Sequence, residues 1–278
     1  MSSGRRPPTA TADCLPGKVS IFGCGVQKGG TTSLHAYLCE HPELSAPVQK
    51  ELHFFDDESR DWLAPGYAAL EALFPGDDGA RLRFDITPVY GFWPPSIARI
   101  HAYNPQARLI YLFRDPFERA CSQWRMEYAR GFETLPFSEA IRGGRDRLAG
   151  LPPLARERRI YTYVERGGYA GQVRRVLRHF PREQVLFLRS QDLLHDHVAA
   201  LREIAGFLGI APFADTGPKR VQPFEFTPPP APPDTADLDH IAALLGDDLR
   251  AFSELSGLDV TGWPVMQRRF ASWPAAGV

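Results

Sequence analysis

The chain alternates short apolar runs with stretches in which apolar residues recur every three or four positions. Val19-Ser20-Ile21-Phe22 closes into Gly23 and Gly25, which predicts a buried strand entering a glycine turn. Thr31-Thr32-Ser33 follow, and Leu34, Tyr37 and Leu38 keep helical spacing, with a stop expected at His41 before Pro42. Helix is expected near 67–74, strand near 82–86 and helix near 96–103. Leu109 to Phe113 is the strongest strand pattern; it ends at Arg114-Asp115-Pro116 and precedes a helix over 117–130. The arginine-rich segment 132–168 reads as helical and irregular. Val173, Val176, Leu177 and Phe180 mark another helix, 185–188 a strand, and Val198, Leu201, Ala205 and Leu208 a helix ended by Gly209. A last helix carries Leu238, Ile241, Leu245, Leu249 and Phe252.

Strand alternating with helix implies an α/β fold, a single P-loop-like domain with a central, mainly parallel β-sheet flanked by helices. The expected layout is a flexible arm over 1–17, one domain over 18–265 and a tail over 266–278. Residues 228–233 (PPPAPP) read as a stiff polyproline-like surface connection.

Composition narrows the class. With 32 Lys+Arg against 33 Asp+Glu and a net charge of -1, a nucleic-acid coat or polybasic membrane binder is disfavoured, but a local anion pocket is not. Only four of those cations are lysines: Lys18, Lys28, Lys50 and Lys219. The four cysteines form no CxxC pair, and Cys24 and Cys39 read as buried small residues. No histidine cluster shows trustworthy metal-ligand spacing, so no metal is expected. The first 17 residues lack the apolar stretch of a secretory signal, and no run approaches a membrane span, so a cytoplasmic location is expected. Oligomeric state stays open.

The segment Gly25-Val26-Gln27-Lys28-Gly29-Gly30-Thr31-Thr32-Ser33 sits at a strand-to-helix turn. Glycines let backbone wrap an anion, and the N–H groups and dipole at the helix start favour phosphate. Read alone, a glycine turn with a Thr/Ser helix cap explains it equally well. It is not a Walker A loop, because Lys28 precedes Gly29-Gly30 instead of following them.

Gly25 to Thr32 resembles the GxxKGGTT loop of sulfotransferases that use 3′-phosphoadenosine 5′-phosphosulfate (PAPS). By that resemblance Lys28, Gly29, Gly30, Thr31, Thr32 and Ser33 bind the 5′-phosphosulfate. LIYLFRDPFERACSQW is similar to the family's second signature, an Arg at a strand end and a Ser eight residues later; Arg114 and Ser122 would hold the 3′-phosphate. KELHFF (Lys50 to Phe55) resembles a segment of heparan-sulfate-type enzymes in which the Glu is the base and the His lies at the acceptor. RGGYAGQV resembles a segment near the nucleotide, which brings in Tyr169. Lys219-Arg220 resembles a late cofactor-contacting region, although the usual glycine between them is missing. DITPVY resembles EKTPxY, with Ile86 in place of the Lys. The implied donor is PAPS, the implied product 3′,5′-ADP (PAP), and the resemblance covers about 19–260.

Sulfuryl transfer needs a base, a cation for the leaving phosphate and rigid cofactor contacts. Glu51 is the expected base if a partly dry site raises its pKa toward neutral. His53 is the second candidate, since imidazole titrates nearer neutral unaided. On a strand the two would share a face. Lys28 is expected to stabilise the bridging oxygen as a compact charge. Trp62, Tyr90, Phe92, Trp93 and Trp124 are candidates to line the acceptor pocket, though aromatics at such positions are more often core. No long basic stripe is present, which tilts the acceptor toward a small hydroxylated metabolite, such as a natural product, or a glycolipid, and away from nucleic acid. The competing classes are a nucleotide kinase or NTPase, with Asp85 or Asp115 as magnesium carboxylate, and a non-catalytic nucleotide-binding module. Calorimetry separates the first two: 3′,5′-ADP should bind more tightly than ATP with magnesium, and the reverse order would sink the sulfotransferase reading.

Overall fold

Apolar runs bounded by turn residues become strands here, and the striped segments between them become helices. The computed structural model describes residues 17–76, 79–215, 217–219 and 231–271. In order they form β1 (Val19–Gly25), α1 (Thr31–Cys39), β2 (Leu44–Ser45), α2 (Ala68–Glu71), β3 (Leu82–Ile86), α3 (Ser96–Tyr103), β4 (Arg108–Phe113), α4 (Pro116–Ala129), α5 (Phe137–Ala140), α6 (Glu157–Tyr161), α7 (Tyr169–Leu177), β5 (Val185–Arg189), α8 (Ser190–His195), α9 (His197–Leu208), α10 (Thr235–Ser256) and α11 (Pro264–Ala271).

The five strands make one sheet in the order β2-β3-β1-β4-β5, with every pairing parallel. Alternation of side chains across the sheet divides the core in two. Leu109, Tyr111 and Phe113 of β4 join one cluster with α3, α4, α7 and α10; Ile110 and Leu112 join the other with α1 and α9. Both sheet faces are covered, which is why β4 reads as one continuous apolar run. After β3 the chain returns to the other side of β1 to lay down β4. The crevice at the carboxyl ends of β1 and β4 is therefore the place where an open parallel sheet binds ligands.

Three short elements escape the pattern reading: two-residue β2, six-residue α8, and α11. The last runs across the expected 265/266 boundary and packs on α10. Cys24 is buried as expected, but Cys39 is exposed, because α1 turns its C-terminal end to solvent. Residues 1–16, which hold most of the expected arm, and 228–230 of the proline stretch lie outside the described residues. Among the described residues no helix is long and apolar enough to cross a membrane.

Ile204 on α9 is fully buried in the second cluster. Ile204→Ala should cost about 2–5 kcal/mol in urea unfolding, with 3′,5′-ADP affinity unchanged in the folded fraction.

Candidate active site

Backbone hydrogen bonds fix the turn after β1. Val26 N–H donates to the Leu112 carbonyl at 2.9 Å, and Gly29 N–H to the Val26 carbonyl at 2.8 Å. A Cβ on Gly29 would stand 2.3 Å from the Leu112 oxygen, so no other residue fits without moving β4. Gly30 caps α1 at φ 89°, a left-handed conformation that suits glycine. Lys28 adopts φ 70°, and its Nζ rests 3.7 Å from Met126 Sδ on α4. Burial, then Arg130 and Arg114, lower the Lys28 pKa.

Arg114 leaves the end of β4 beside this turn. Its Nε donates to Glu118 at 3.0 Å, and its Nη1 reaches the Lys28 carbonyl at 3.5 Å. Asp115 caps α4 by accepting from Glu118 N–H at 3.0 Å, and its other oxygen accepts from Val265 N–H of α11 at 3.0 Å. Asp115 is thus a structural cap with both oxygens committed.

A cavity of about 660 Å³ brings together Lys28, Gly30, Thr31, Thr32, Ser33, Arg114 and Ser122 with Glu51 and His53. A second cavity, of about 920 Å³, is lined by Gly30, Ser33, Tyr37, Arg114, Ser190 and Lys219. The two share Gly30, Ser33 and Arg114, so the turn and the arginine stand between them. Lys219 is ion-paired with Glu40. Gly29 is buried beneath the turn. Tyr169, expected at the nucleotide, is fully buried instead; its hydroxyl donates to the Arg114 carbonyl at 2.7 Å and so braces the arginine from behind. Arg220 lies outside the described residues.

Residues 50–53 form a loop rather than a strand. Glu51 and His53 face the same cavity because both adopt left-handed backbone, at φ 62° and 53°. They belong to a chain of alternating charge: Lys50 contacts Glu51, and His53 Nε2 lies 3.6 Å from Glu51. His53 Nδ1 lies 3.0 Å from Asp56, and Arg159 of α6 closes on Asp56. The hydrogen bonds to Asp56 and then Glu51 outweigh burial and raise His53 to about 9. Burial pushes Glu51 up, but His53 and Lys50 outweigh it and bring it down to about 2. This corrects the expectation that a dry site lifts Glu51 toward neutral: its own loop supplies two cations. Near neutral pH the pair is carboxylate and imidazolium.

Of the remaining cavity wall, Arg166 opens the RGGYAGQV segment already expected near the nucleotide, whereas Arg125, Met126, Glu127 and Arg130 were not singled out. Arg125, Met126 and Glu127 continue the face of α4 that starts at Ser122, so helical spacing from Ser122 was the available signal. Asp56 lies three residues beyond His53 and meets its ring at 3.0 Å. Arg166 is buried; Nε bonds Thr162, Nη2 bonds the Arg159 carbonyl, and Nη1 has no partner among the described residues. Burial, then Arg119, lower its pKa to about 9. None of the five aromatic candidates lines the cavity: Tyr90, Trp93 and Trp124 are fully buried core, and Trp62 and Phe92 are half-buried elsewhere. Pro88, Val89, Phe132 and Ile160 supply the apolar lining in their place. No group of three or more side chains suited to a metal ion occurs among the described residues.

A parallel α/β sheet with a glycine-cradled cationic turn at its switch point defines a protein that binds phosphorylated ligands. A family model described as a sulfotransferase domain matches residues 19–223. The chain belongs to that family. It is 33% identical over 191 residues to heparan sulfate glucosamine 3-O-sulfotransferase 3B1 of Mus musculus, covering 67% of this chain and 45% of that protein. It is 31% identical over 186 residues to heparan sulfate glucosamine 3-O-sulfotransferase 6 of Homo sapiens, covering 67% of this chain and 51% of that one. The chain thus spans about half the length of these curated relatives. A solved sulfotransferase from Alicyclobacillus acidocaldarius superposes with a TM-score of 0.72 at 26% identity, over 88% of this chain and 98% of that one.

The histidine is the reporter of this geometry. Its raised pKa means that its contacts stabilise the folded chain fully below about pH 6.5 and are lost as pH rises through about 9. By NMR, His53 should titrate with a midpoint near 9, and Glu51→Gln should lower that midpoint. An unchanged midpoint in the variant would show that the two side chains do not interact.

Proposed function

We propose that the chain transfers a sulfuryl group from PAPS to a hydroxyl, less favourably an amine, of a small metabolite or glycoconjugate. The observation that carries this reading is the meeting, in one cavity, of the Lys28 turn, the Arg114–Ser122 pair and the Glu51–His53 pair. The residues present fit the donor. Gly29 lets the turn sit directly against the Leu112 carbonyl of β4, which sets Lys28 and Gly30 on the cavity. Lys28, Thr31, Thr32 and Ser33 would hold the 5′-phosphosulfate, Arg114 and Ser122 the 3′-phosphate, and Lys219 lines the adjoining cavity that shares Arg114.

Bound there, PAPS supplies the sulfuryl group. Glu51 is the base, because it is ionised at neutral pH with an oxygen on the cavity. His53 is charged over the same range and has no free lone pair. It therefore orients Glu51 and balances its charge, while Asp56 fixes the ring by accepting from Nδ1. A carboxylate of low pKa is a weak base, so proton transfer to Glu51 must follow the loss of charge density from the acceptor oxygen. Lys28 places a compact cation on the same wall, half-buried, where charge left on a departing phosphate is most strongly stabilised.

The kinase reading loses its magnesium carboxylates. Asp115 is a helix cap, and Asp85 is fully buried and saturated by Thr87, Tyr90 and Leu52. The cavity wall carries Arg125, Arg130, Arg159 and Arg166 beside Glu51 and Glu127; Arg159 is already closed on Asp56 and Arg130 lies 4.0 Å from Glu127, which leaves Arg125 and Arg166 in surplus. That balance favours an acceptor that carries negative charge, with Arg166 Nη1 as a donor in waiting.

Sulfate transfer from PAPS to a panel of hydroxylated acceptors tests the assignment. Glu51→Gln should lower kcat by about 10²–10⁴ with 3′,5′-ADP affinity preserved, whereas Lys28→Ala should weaken both turnover and nucleotide binding. Activity unchanged in both variants would refute it.

A further inference from the structure

Glu51 and His53 hold a conformation that neither residue favours. Left-handed backbone at a residue other than glycine costs of order 1–3 kcal/mol and persists only where the surroundings over-determine it. Here the loop carries two such residues on either side of Leu52. Something must restrain residues 51–55 more firmly than their own propensity does.

The restraint is a buried acceptor network. Leu52 N–H points at Asp85 Oδ1 at 3.4 Å. Phe54 N–H donates to the Tyr90 hydroxyl at 3.0 Å, and Phe55 N–H approaches the same oxygen at 3.4 Å. The Tyr90 hydroxyl in turn donates to Asp85 Oδ2 at 2.8 Å, and Thr87 Oγ donates to Oδ1 at 2.7 Å. The Phe55 carbonyl is clamped from the far side by Ser96 and Arg99. Asp85 and Tyr90 are both fully buried, and neither lines the cavity. Asp85 belongs to β3, hydrogen-bonded beside β1, so the sheet itself is the anchor.

We infer that Asp85, acting with Tyr90, is the positioning residue that sets the backbone of Glu51 and His53 and so aims both side chains at the reacting centre. Its chemistry suits the task. The two carboxylate oxygens meet only donors: one N–H and two hydroxyls. An amide in the same place would turn an NH₂ against one of them. The Tyr90 oxygen accepts from the loop while its proton goes to Asp85, so removing it frees two loop N–H groups at once. Burial pushes Asp85 up to about 6, so near neutral pH the acceptor form prevails.

The inference rests on the sulfotransferase reading for its kinetic arm alone. Asp85→Asn and Tyr90→Phe would be compared with the unaltered chain in three measurements: calorimetry with 3′,5′-ADP, NMR titration of His53, and kcat at saturating PAPS. The expected result is 3′,5′-ADP affinity little changed, a His53 midpoint falling from about 9 toward 6.5, and kcat reduced by about a hundredfold. Asp85→Glu, which keeps the carboxylate, should recover part of both losses. A His53 midpoint and kcat unchanged in the folded variants would overturn it. Tyr90→Phe, which deletes a single oxygen, carries the test where Asp85→Asn does not fold. A shifted midpoint without transfer to any acceptor, even in the unaltered chain, would sink the enzymatic reading and leave the positioning role standing.

Discussion

Gly29 lies against the end of β4 so closely that a single methyl group would collide with the Leu112 carbonyl. That contact makes two distant stretches of sequence into one object. Leu112 accepts the Val26 N–H, and two residues later Arg114 leaves the strand and turns back to the Lys28 carbonyl. The cationic turn and the guanidinium thus cannot move independently. Tyr169 and the capped start of α4 fix the arginine from its other sides. The phosphate-facing side of the cavity is arranged around this junction, which sits where the sheet changes direction of growth.

The base loop is built on a different principle. Nothing in Lys50 to Asp56 belongs to regular structure. Order comes from buried hydrogen bonds beneath the loop and alternating charges along it. Lys50, Glu51, His53, Asp56 and Arg159 neutralise one another in sequence. This explains how a chain of net charge -1 keeps an anion-attracting cavity: its few carboxylates there are already matched, and the surplus guanidiniums are not.

How much of this could be read beforehand depended on the range of the interaction. β1, β3, β4 and β5 and the longer helices follow from local periodicity, whereas the Lys28 turn and Arg114–Ser122 stood out through their resemblance to family signatures, whose spacing is short and set by one strand and one helix. β2 has two residues, too few for a period, and owes its existence to β3. That Glu51 and His53 sit on a loop was not legible beforehand, because left-handed backbone leaves no mark in residue type unless glycine marks it. The direction of the Glu51 pKa was misjudged because burial alone was weighed, while the cation that wins is His53, itself held charged by Asp56 first and then by Glu51. Tyr169, expected at the nucleotide, is fully buried, with its hydroxyl engaged by the Arg114 carbonyl. Such a bond is invisible in sequence.

The two oxygens of Asp115 serve different ends of the chain. One caps the helix that follows Arg114; the other receives the Val265 N–H from the final helix. The C-terminal helix is therefore a buttress of the anion grip and not an appendage. Shortening the protein before Pro264 would strip a buried carboxylate of one partner directly beside the arginine. In engineering terms, the turn between α10 and α11 is the place to leave untouched, because it leads directly into the helix whose Val265 N–H meets Asp115.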